Sequence, residues 1–434
     1  MSFDHWNTRA DAVTMVDGIA LRVPGGIPGE TADVEVIAQS RGGPVAWARL
    51  IDITSPSPDR REPPCALEGT CGGCGLQHVD GGRFARVVES ALREAPELAA
   101  VLAPPERWIH SAPWGWRHKA VLLPARRKGA LQLGGYARGS HDVVDLPSCG
   151  VLAPGLRHAR AGLLARLGVH RKLPLSPPGD AVKPGALRSL ILRGARDGRV
   201  LATAVVSAPN LLVQRALTDA VAAGEIAGAF EQVHDAPGDA VQGPGPARHL
   251  AGEEALTETI ADVALPLLPL AFFQVNPGVL EHMVVALRDA IGAADRIVDA
   301  YCGVGALGLA VAAGIGTGTV TGCDVVPSAI AAATDAAGAL GIVAEYHQGR
   351  PEDLDPPAED DVVLLDPPRK GCSAAALRVL GTARRLVYVS CGTSSFIRDA
   401  RRLMEAGYRP VEILPAEMLP YTPHVEWIAR FERA

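Results

Sequence analysis

The stretch that decides the fold is Arg296-Ile-Val-Asp-Ala-Tyr-Cys-Gly-Val-Gly-Ala-Leu-Gly-Leu-Ala-Val-Ala312. Its apolar start predicts a β-strand, its glycines predict a tight turn, and its apolar end predicts the beginning of a helix. Gly303, Gly305 and Gly308 match the G-x-G-x-x-G pattern of loops that hold a nucleotide-like cofactor at a helix N-terminus. Strands and helices alternate in this way from about residue 270 onward, and we therefore predict an α/β fold with a parallel sheet.

Acidic residues lie at the ends of the strand that precedes this loop and of the two strands predicted after it. Asp299 ends the first strand, Thr319-Val-Thr-Gly-Cys-Asp324 predicts a second, and Asp361-Val-Val-Leu-Leu-Asp-Pro-Pro-Arg369 predicts a third that opens onto a rigid turn. Asp324 has the spacing of a ribose-binding acid in a dinucleotide fold, so an NAD-type oxidoreductase is an open alternative. Each acid by itself is also typical of a helix cap or a turn. The ordered set of three favours S-adenosylmethionine as the cofactor.

Cys391 ends a further apolar strand, in Val-Tyr-Val-Ser-Cys-Gly392. The carboxyl edge of a parallel sheet is where such folds place a nucleophile beside a cofactor. A soft thiolate adds readily to C6 of a uracil ring, and C5 can then take a methyl group from a sulfonium. Glu426 lies between the apolar residues Val425 and Trp427, so it can be desolvated and basic enough to remove the C5 proton. The alternative for Glu426 is a surface carboxylate on a terminal strand.

Length and composition narrow the class of protein. A chain of 434 residues is too long for one ordinary core, so we expect two or three domains. The net charge of −6 gives no overall attraction to nucleic acid, and any RNA site must be a local basic patch. The polar N-terminus is unlike a signal peptide and no apolar run is long enough to span a membrane. We expect a cytoplasmic protein without membrane contact, whose eight cysteines are thiols or ligands.

The pattern of the chain predicts three parts. Residues 1–60 alternate apolar and polar positions between Pro/Gly turns, which predicts a small antiparallel β-barrel. A Pro-rich linker follows it. Residues 61–268 mix strands and short helices and predict an α+β central domain, while residues 269–434 predict the cofactor-binding domain.

Four cysteines in the central part have the spacing of metal ligands. Cys65, Cys71 and Cys74 lie close together in a glycine-rich segment, and Cys149 follows in Leu-Pro-Ser-Cys-Gly150. Four thiolates suit either tetrahedral zinc or a four-iron cluster. Because glycines let backbone amides approach sulfur, the segment favours the cluster.

A basic stretch between Arg107 and Arg138 carries interleaved tryptophans. Cations for phosphates beside aromatic rings that can stack on bases are typical of an RNA-binding surface. The alternative is that the rings belong to the core and the cations are solvated. The cations are Arg107, Arg117, Lys119, Arg126, Arg127, Lys128 and Arg138, and the rings are Trp108, Trp114 and Trp116.

These motifs together resemble the RNA 5-methyluridine methyltransferases, the bacterial enzymes that methylate uracil C5 in tRNA and 23S rRNA. The N-terminal part is similar to the TRAM RNA-binding module, whose clearest turn is Val23-Pro-Gly-Gly-Ile-Pro-Gly-Glu30. The resemblance covers nearly the whole chain. Its motifs are Phe272-Phe-Gln-Val-Asn276, Asp299-Ala-Tyr-Cys-Gly-Val-Gly305, Asp366-Pro-Pro-Arg-Lys-Gly371, Ser390-Cys391 and Thr422-Pro-His-Val-Glu426.

The resemblance implies the fold and the role of each site residue. It implies a class I (Rossmann-like) methyltransferase domain, with Cys391 as nucleophile and Glu426 as base. It implies that S-adenosyl-L-methionine is bound by Gln274, Tyr301, Asp324 and Asp366, the last also close to the target base. It further implies that a [4Fe-4S] cluster, as in the rRNA-type members, is held by Cys65, Cys71, Cys74 and Cys149.

The expected activity is therefore methylation of uridine C5 in structured RNA through a covalent Cys391–C6 adduct. We expect a monomer acting on 23S rRNA, with tRNA as the alternative substrate. The chain departs from the family at Gly392-Thr393, where Asn-Pro is usual, and at Ala306, where a polar residue is common. The changed turn after Cys391 leaves a non-catalytic RNA-binding iron–sulfur protein as a rival.

Overall fold

A computed structural model describes residues 1–316 and 318–433 of the chain. The chain divides into two compact units. The first unit consists of residues 1–69, 74–111 and 351–434, and the second consists of residues 70–73 and 112–350.

The N-terminal part of the first unit is a five-stranded barrel. Its strands pair in the order β1-β2-β3-β5-β4. The sheet closes because Ser2, just before β1, forms an antiparallel bridge with Thr31 at the start of β4. The sequence shows no clear first strand before Asp17, which predicted a shortened barrel, but two of the strands precede that residue. The strands are β1 (His5–Trp6), β2 (Ala12–Val16), β3 (Ile19–Val23), β4 (Thr31–Gln39) and β5 (Val45–Ser55).

Two helices of the first unit follow the barrel, α1 (Arg83–Leu92) and α2 (Pro96–Ala99). Helix α1 buries an apolar face that includes Phe84, Val87 and Val88. Its hydroxyl-bearing Ser90 donates a hydrogen bond to the carbonyl oxygen of Trp6 in β1. The helix is therefore fixed to the edge of the barrel.

The second unit begins with a seven-stranded sheet of order β12-β11-β10-β9-β6-β7-β8. Helices α3 and α4 pack on it, and leucines such as Leu163, Leu190 and Leu217 fill the core between them. The elements are β6 (Lys119–Arg127), β7 (Ala130–Tyr136), β8 (Val143–Asp145), α3 (Pro154–Gly168), β9 (Leu187–Gly194), β10 (Val200–Val206), α4 (Leu211–Ala222), β11 (Gly228–Val233) and β12 (Arg248–Gly252).

The rest of the second unit contains the glycine loop. The hairpin of β13 and β14 leads to α5, and three strands then form parallel pairs, β15 with β16 and β16 with β17. The elements are β13 (Leu256–Ile260), β14 (Val263–Leu267), α5 (Pro277–Ile291), β15 (Arg296–Ala300), α6 (Ala306–Ile315), β16 (Thr319–Asp324), α7 (Pro327–Leu340) and β17 (Val343–Gln348).

The C-terminal part of the first unit is a mixed sheet. Strand β18 pairs in parallel with β19, β19 pairs antiparallel with β21, and β21 pairs antiparallel with β20. The carboxyl ends of β18 and β19 and the amino end of β21 therefore meet at one edge. The elements are β18 (Val362–Leu365), α8 (Ala374–Leu380), β19 (Arg385–Ser390), α9 (Thr393–Glu405), β20 (Tyr408–Ala416) and β21 (Glu426–Arg433).

The predicted α/β class is confirmed, since parallel strands alternate with helices from residue 296 onward. The predicted limits at residues 60 and 268 stay a prediction, and the last residue of the third part lies outside the described residues. Among the described residues, no helix is both long enough and apolar enough to cross a bilayer.

Candidate active site

Three of the predicted residues lie at the strand edge of the first unit. Asp366 follows the last residue of β18, Cys391 follows β19, and Glu426 is the first residue of β21. Ser390 pairs directly with Trp427 across β19 and β21, so the next step along the register sets Cys391 opposite Glu426. The strand pairing thus brings the predicted nucleophile and base to adjacent positions.

Burial controls the acidity of the Cys391 thiol. Desolvation is the main cause that raises its pKa, to about 11, and the charges of Glu426 and Asp366 act in the same direction. The positive charge of Arg369 opposes them. The group is therefore a thiol at rest near neutral pH, and formation of the nucleophilic thiolate depends on cations beside it.

Glu426 is an unusual carboxyl because it is almost fully buried, with 3% of its surface exposed, and its Oε1 atom has no hydrogen-bond partner among the described residues. Burial raises the pKa of Glu426 well above its ordinary value, the charge of Asp366 adds to the effect, and Arg369 reduces it. Burial likewise raises the pKa of Asp366, to about 7. A buried carboxyl without partners destabilises the fold, which is typical of a group kept for its chemistry.

The turn after Cys391 requires glycine at position 392. A Cβ atom there would lie 2.6 Å from Ser395 Oγ and 2.9 Å from the carbonyl oxygen of Arg369. The Ser395 hydroxyl is 2.8 Å from the carbonyl oxygens of both Arg369 and Gly392. The asparagine that is usual in the resembling family does not fit this backbone without a shift. Gly392 therefore lets the nucleophile turn pack closely against the Pro-Pro-Arg turn.

Thr393 takes the place of the usual proline and has a contact of its own. The indole N–H of Trp427 donates a hydrogen bond of 3.1 Å to Thr393 Oγ1. The ring of Trp427 also stacks on Phe396, with 5.6 Å between the ring centroids. These contacts attach the start of α9 to β21, on which Glu426 lies.

Asp399 holds the loop that follows Asp366-Pro-Pro from the other side. It is fully buried, and its Oδ2 accepts hydrogen bonds from the backbone N–H of Cys372 at 2.8 Å and the hydroxyl of Tyr388 at 2.9 Å. Its Oδ1 accepts one from Nε of Arg398 at 2.9 Å. The loop is therefore tied to both β19 and α9, which flank Cys391 in sequence.

The glycine loop of the second unit is built around Asp324. Its Oδ2 accepts a hydrogen bond from Gly303 N–H at 3.2 Å, and its Oδ1 accepts one from Val326 N–H at 2.8 Å. Tyr301 and Gly303 have positive φ angles of 71° and 55°, and the space above Gly303 is open. The predicted residues Tyr301 and Asp324 thus belong to one loop system, and each carboxylate oxygen still has a lone pair to accept a ribose hydroxyl.

The last glycine of the motif is explained by Asp299. A Cβ atom on Gly308 would lie 2.3 Å from Asp299 Oδ2, which accepts the Gly308 N–H at 3.2 Å. The Asp299 side chain is buried and caps the start of α6 in this way. This contact is that of a helix cap, one of the roles that the sequence left open for each acid.

Three further groups of the second unit could hold a cofactor. The Gln274 amide makes no hydrogen bond with the described residues and is partly exposed. The buried hydroxyl of Tyr346 has no partner among the described residues either and lies against the glycine loop, 3.0 Å from where a Cβ atom of Gly305 would be. Val325 and Val326 expose apolar side chains directly after Asp324, which a flat purine could cover. Sequence reasoning missed Tyr346 and the two valines, although the valines directly follow the predicted acid.

Comparison with known proteins identifies the family. The chain is 31% identical to an uncharacterized RNA methyltransferase of Gloeobacter violaceus, over 97% of this chain and 93% of the relative. It is 30% identical to one of Halalkalibacterium halodurans, over 93% and 89%. The chain belongs to this family of RNA methyltransferases. No protein-family model matches the chain.

A solved structure shares the fold. The crystal structure of Pyrococcus abyssi tRNA (uracil-54, C5)-methyltransferase in complex with S-adenosyl-L-homocysteine covers 99% of both chains with a TM-score of 0.77 and 24% identity. The predicted methyltransferase fold is thereby confirmed. Family membership also removes the NAD-type oxidoreductase and the non-catalytic RNA-binding protein as alternatives.

The four predicted cluster ligands are divided between the two units. Cys65 and Cys74 belong to the first unit and Cys71 and Cys149 to the second, all in loops or single bridges and all partly exposed. Within residues 1–316 and 318–433, no group of three or more His, Cys, Asp or Glu side chains could hold a metal ion. The structure therefore does not show the expected four-cysteine site, and the site stays a prediction.

The tryptophans of the basic stretch divide between the two interpretations. Trp108 and Trp116 are buried, so they are core residues, whereas Trp114 is 39% exposed. Arg107 forms an ion pair with Glu412. Only Trp114 among the three rings is accessible for stacking on a base.

Proposed function

We propose that this RNA methyltransferase methylates C5 of a uridine in structured RNA. The observation that carries the proposal is the placement of Cys391 opposite Glu426, with Asp366 at the same strand edge. A thiol and a buried, basic carboxyl are the two groups that C5 methylation of uracil requires. The likeness to the Pyrococcus abyssi enzyme, which by its name acts on uracil C5 of tRNA, supports the same substrate class.

In the proposed reaction the thiolate of Cys391 forms a bond to C6, which moves the C5–C6 electron pair to C5. S-Adenosylmethionine, when bound, supplies the methyl group from its sulfonium. The ionised carboxylate of Glu426 then removes the C5 proton, the C5–C6 double bond re-forms, and the Cys391 thiolate leaves. The raised pKa of Glu426 makes its carboxylate a stronger base than an ordinary glutamate.

We propose that the cofactor is held by Gln274, Tyr301, Asp324 and Asp366. The open space above Gly303 and the unpartnered Tyr346 hydroxyl support this assignment, because they leave room and a polar group beside Asp324. Asp324 fits the ribose hydroxyls, and the Gln274 amide is available to a polar group of the cofactor. Isothermal titration calorimetry should show that the Asp324→Ala variant binds S-adenosylmethionine more weakly than wild type does. An affinity equal to that of wild type would contradict the role of Asp324.

The proposal is tested with RNA that contains 5-fluorouridine. Fluorine at C5 cannot leave as a proton does, so a methylated covalent protein–RNA adduct should accumulate and shift the protein on a denaturing gel. The Cys391→Ala variant should form none, whereas the exposed-loop variant Gly43→Ala should behave as wild type. No adduct with wild type, or an equal amount with Cys391→Ala, would refute the mechanism.

The RNA substrate is proposed to be 23S rRNA, with tRNA as the alternative. The four cysteines support rRNA through their resemblance to rRNA-type members, while the structural neighbour's name supports tRNA. Mapping 5-methyluridine in rRNA and tRNA from a strain lacking the gene decides between them, because the missing modification identifies the substrate.

A [4Fe-4S] cluster on Cys65, Cys71, Cys74 and Cys149 is kept as a proposal that rests on the cysteine spacing alone. Within the described residues no group of side chains could hold a metal ion, so no step of the reaction is derived from a cluster. Iron and acid-labile sulfide assays on protein purified without oxygen test it. About four irons for each chain would support the cluster, and none, together with wild-type adduct formation, would remove it.

A further inference from the structure

A cavity of about 650 Å³ lies within the first unit, between the barrel edge at His5–Thr8, helix α1 and helix α9. Its volume is that of a site for a small ligand or a short segment of a polymer. The charged side chains that line it are Arg22, Arg93, Arg398, Arg401 and Arg402, against Glu94 and Glu405. The charged side chains of the lining thus sum to three net positive charges before their partners outside the lining are counted, in a protein whose net charge is −6.

The arginines of α9 are engaged in the fold. Arg401 forms an ion pair with Glu97 at 2.8 Å, and Arg398 and Arg402 both pair with the buried Asp399. These side chains form a positive wall whose geometry is fixed by its own partners. A fixed wall of this kind favours an anion without the cost of ordering long side chains.

Arg22 and Arg93 are different, because neither forms an ion pair with any described residue. Arg22 lies over the ring of Trp47, at 6.0 Å from its centroid, and Arg93 caps the end of α1. Burial and the nearby charge of Arg93 lower the pKa of His5, so His5 adds no positive charge near neutral pH. Glu97 and Asp399, which lie outside the lining, offset two of its three net charges. Arg22 and Arg93 are the lining arginines without an ion pair among the described residues.

The cavity adjoins the segments that carry the nucleophile and the base. Ser394, on the first turn of α9 and three residues after Cys391, lines it. A smaller pocket shares the lining of Trp6, Asn7 and Thr8 and extends to Pro423, three residues before Glu426. The lining of the cavity therefore includes residues of the same two chain segments that carry Cys391 and Glu426.

The lining fits phosphates better than bases. The Trp6 side chain is 2% exposed, so no ring of this residue is available for stacking. Cations without an accessible aromatic ring are typical of contacts with the nucleic-acid backbone. Resting on the proposed function, we infer that the cavity binds the phosphodiester backbone of the RNA strand next to the target uridine, through Arg22 and Arg93.

The inference is tested by charge reversal in the full-length protein. The variants are Arg93→Glu and the double variant Arg22→Glu/Arg93→Glu, and the matched control is Arg215→Glu, an exposed arginine of α4 in the second unit. The probe is a fluorescein-labelled hairpin RNA with a uridine-containing loop, and its anisotropy gives affinity between 50 and 200 mM KCl. The salt slope is the decrease in log affinity for each unit increase in log KCl concentration. Each lost phosphate contact should lower this slope by about one, so that the affinity of the variant falls roughly threefold less than that of wild type between 50 and 200 mM KCl.

The expected result is a slope lower by about one for Arg93→Glu and about two for the double variant, with the control like wild type. A slope equal to wild type in both variants, or an equal change in Arg215→Glu, would overturn the inference. Arg93→Glu alone decides the question if loss of the Arg22–Trp47 contact unfolds the double variant. Covalent adduct formation on 5-fluorouridine RNA reports on Cys391 separately: its absence in wild type refutes the proposed function whatever the slopes.

Discussion

Replacement of Asp366 by asparagine should stabilise the protein, and more so as the pH rises. Asp366 accepts no hydrogen bond from the described residues, so the amide loses no partner. Burial raises the pKa of Asp366 from 3.8 to about 7. Between these values the folded protein keeps a proton that the unfolded chain has released, so the free energy of unfolding of wild type falls as the pH rises from about 4 to 7 and is constant above that.

The size of the effect follows from the shift. A difference of about three pKa units corresponds to about 4 kcal/mol, and this is an upper limit because the side chain is partly exposed to water. Asparagine does not titrate, so the free energy of unfolding of the variant does not fall with pH through this group. The advantage of Asp366→Asn over wild type should therefore be small at pH 4 and reach up to about 4 kcal/mol at pH 8.

Urea unfolding at pH 4, 6 and 8, followed by circular dichroism, measures this difference. The matched control is Asp33→Asn, an exposed carboxylate on β4 of the same unit, which should change stability little at any pH. If the free energies of unfolding of wild type and Asp366→Asn differ by the same amount at pH 4 and pH 8, the assignment of a raised pKa to Asp366 is refuted. The stabilised variant should also bind S-adenosylmethionine more weakly, because asparagine lacks the carboxylate that is proposed to hold the cofactor. A residue kept for function commonly reduces stability in this way.

Three other substitutions give separate tests. Gly392→Ala should lower the free energy of unfolding by about 1–3 kcal/mol and slow adduct formation, because the methyl group of the new alanine displaces the Arg369 carbonyl. The control Gly43→Ala should change neither stability nor adduct formation. Equal effects of Gly392→Ala and Gly43→Ala in these assays would contradict the close packing at Gly392. Arg369→Gln should slow adduct formation several-fold, and by about the same factor at pH 7.5 and 9.5, because Arg369 lowers the pKa of Cys391 and both pH values lie below that pKa of about 11. Arg369→Lys keeps the positive charge and should be slowed less than Arg369→Gln; an equal deficit in the two variants would exclude this electrostatic role. Glu426→Gln should form a methylated adduct on ordinary RNA that does not resolve, and rapid turnover by this variant would exclude Glu426 as the base.

The strand edge was predictable because parallel and antiparallel strands obey simple register rules. Cys391 follows an apolar strand and Glu426 begins one, so both were expected at an edge of the sheet. The apolar neighbours of Glu426 also indicated its desolvation. The pKa of its carboxyl and its unpartnered oxygen agree with that expectation.

Contacts between backbones far apart in sequence were not predictable. The need for glycine at position 392 arises from the carbonyl of Arg369, which no local pattern reveals. The barrel residue Arg22 and the helix-capping Arg93 are likewise distant from the catalytic motifs, and only the tertiary fold places both in one cavity. The spacing of Cys65, Cys71, Cys74 and Cys149 predicted a ligand set that stays a prediction, since no group of side chains able to hold a metal ion lies within the described residues.

The most direct test of the account is to locate the bond between protein and RNA. The adduct formed with 5-fluorouridine RNA and S-adenosylmethionine is digested with nuclease and trypsin, and the peptides are sequenced by mass spectrometry. The account predicts a methylated fluorouridine nucleotide on the peptide of residues 386–398, attached at Cys391. A nucleotide attached to any other residue, or a catalytically active enzyme whose peptide carries none, would contradict it.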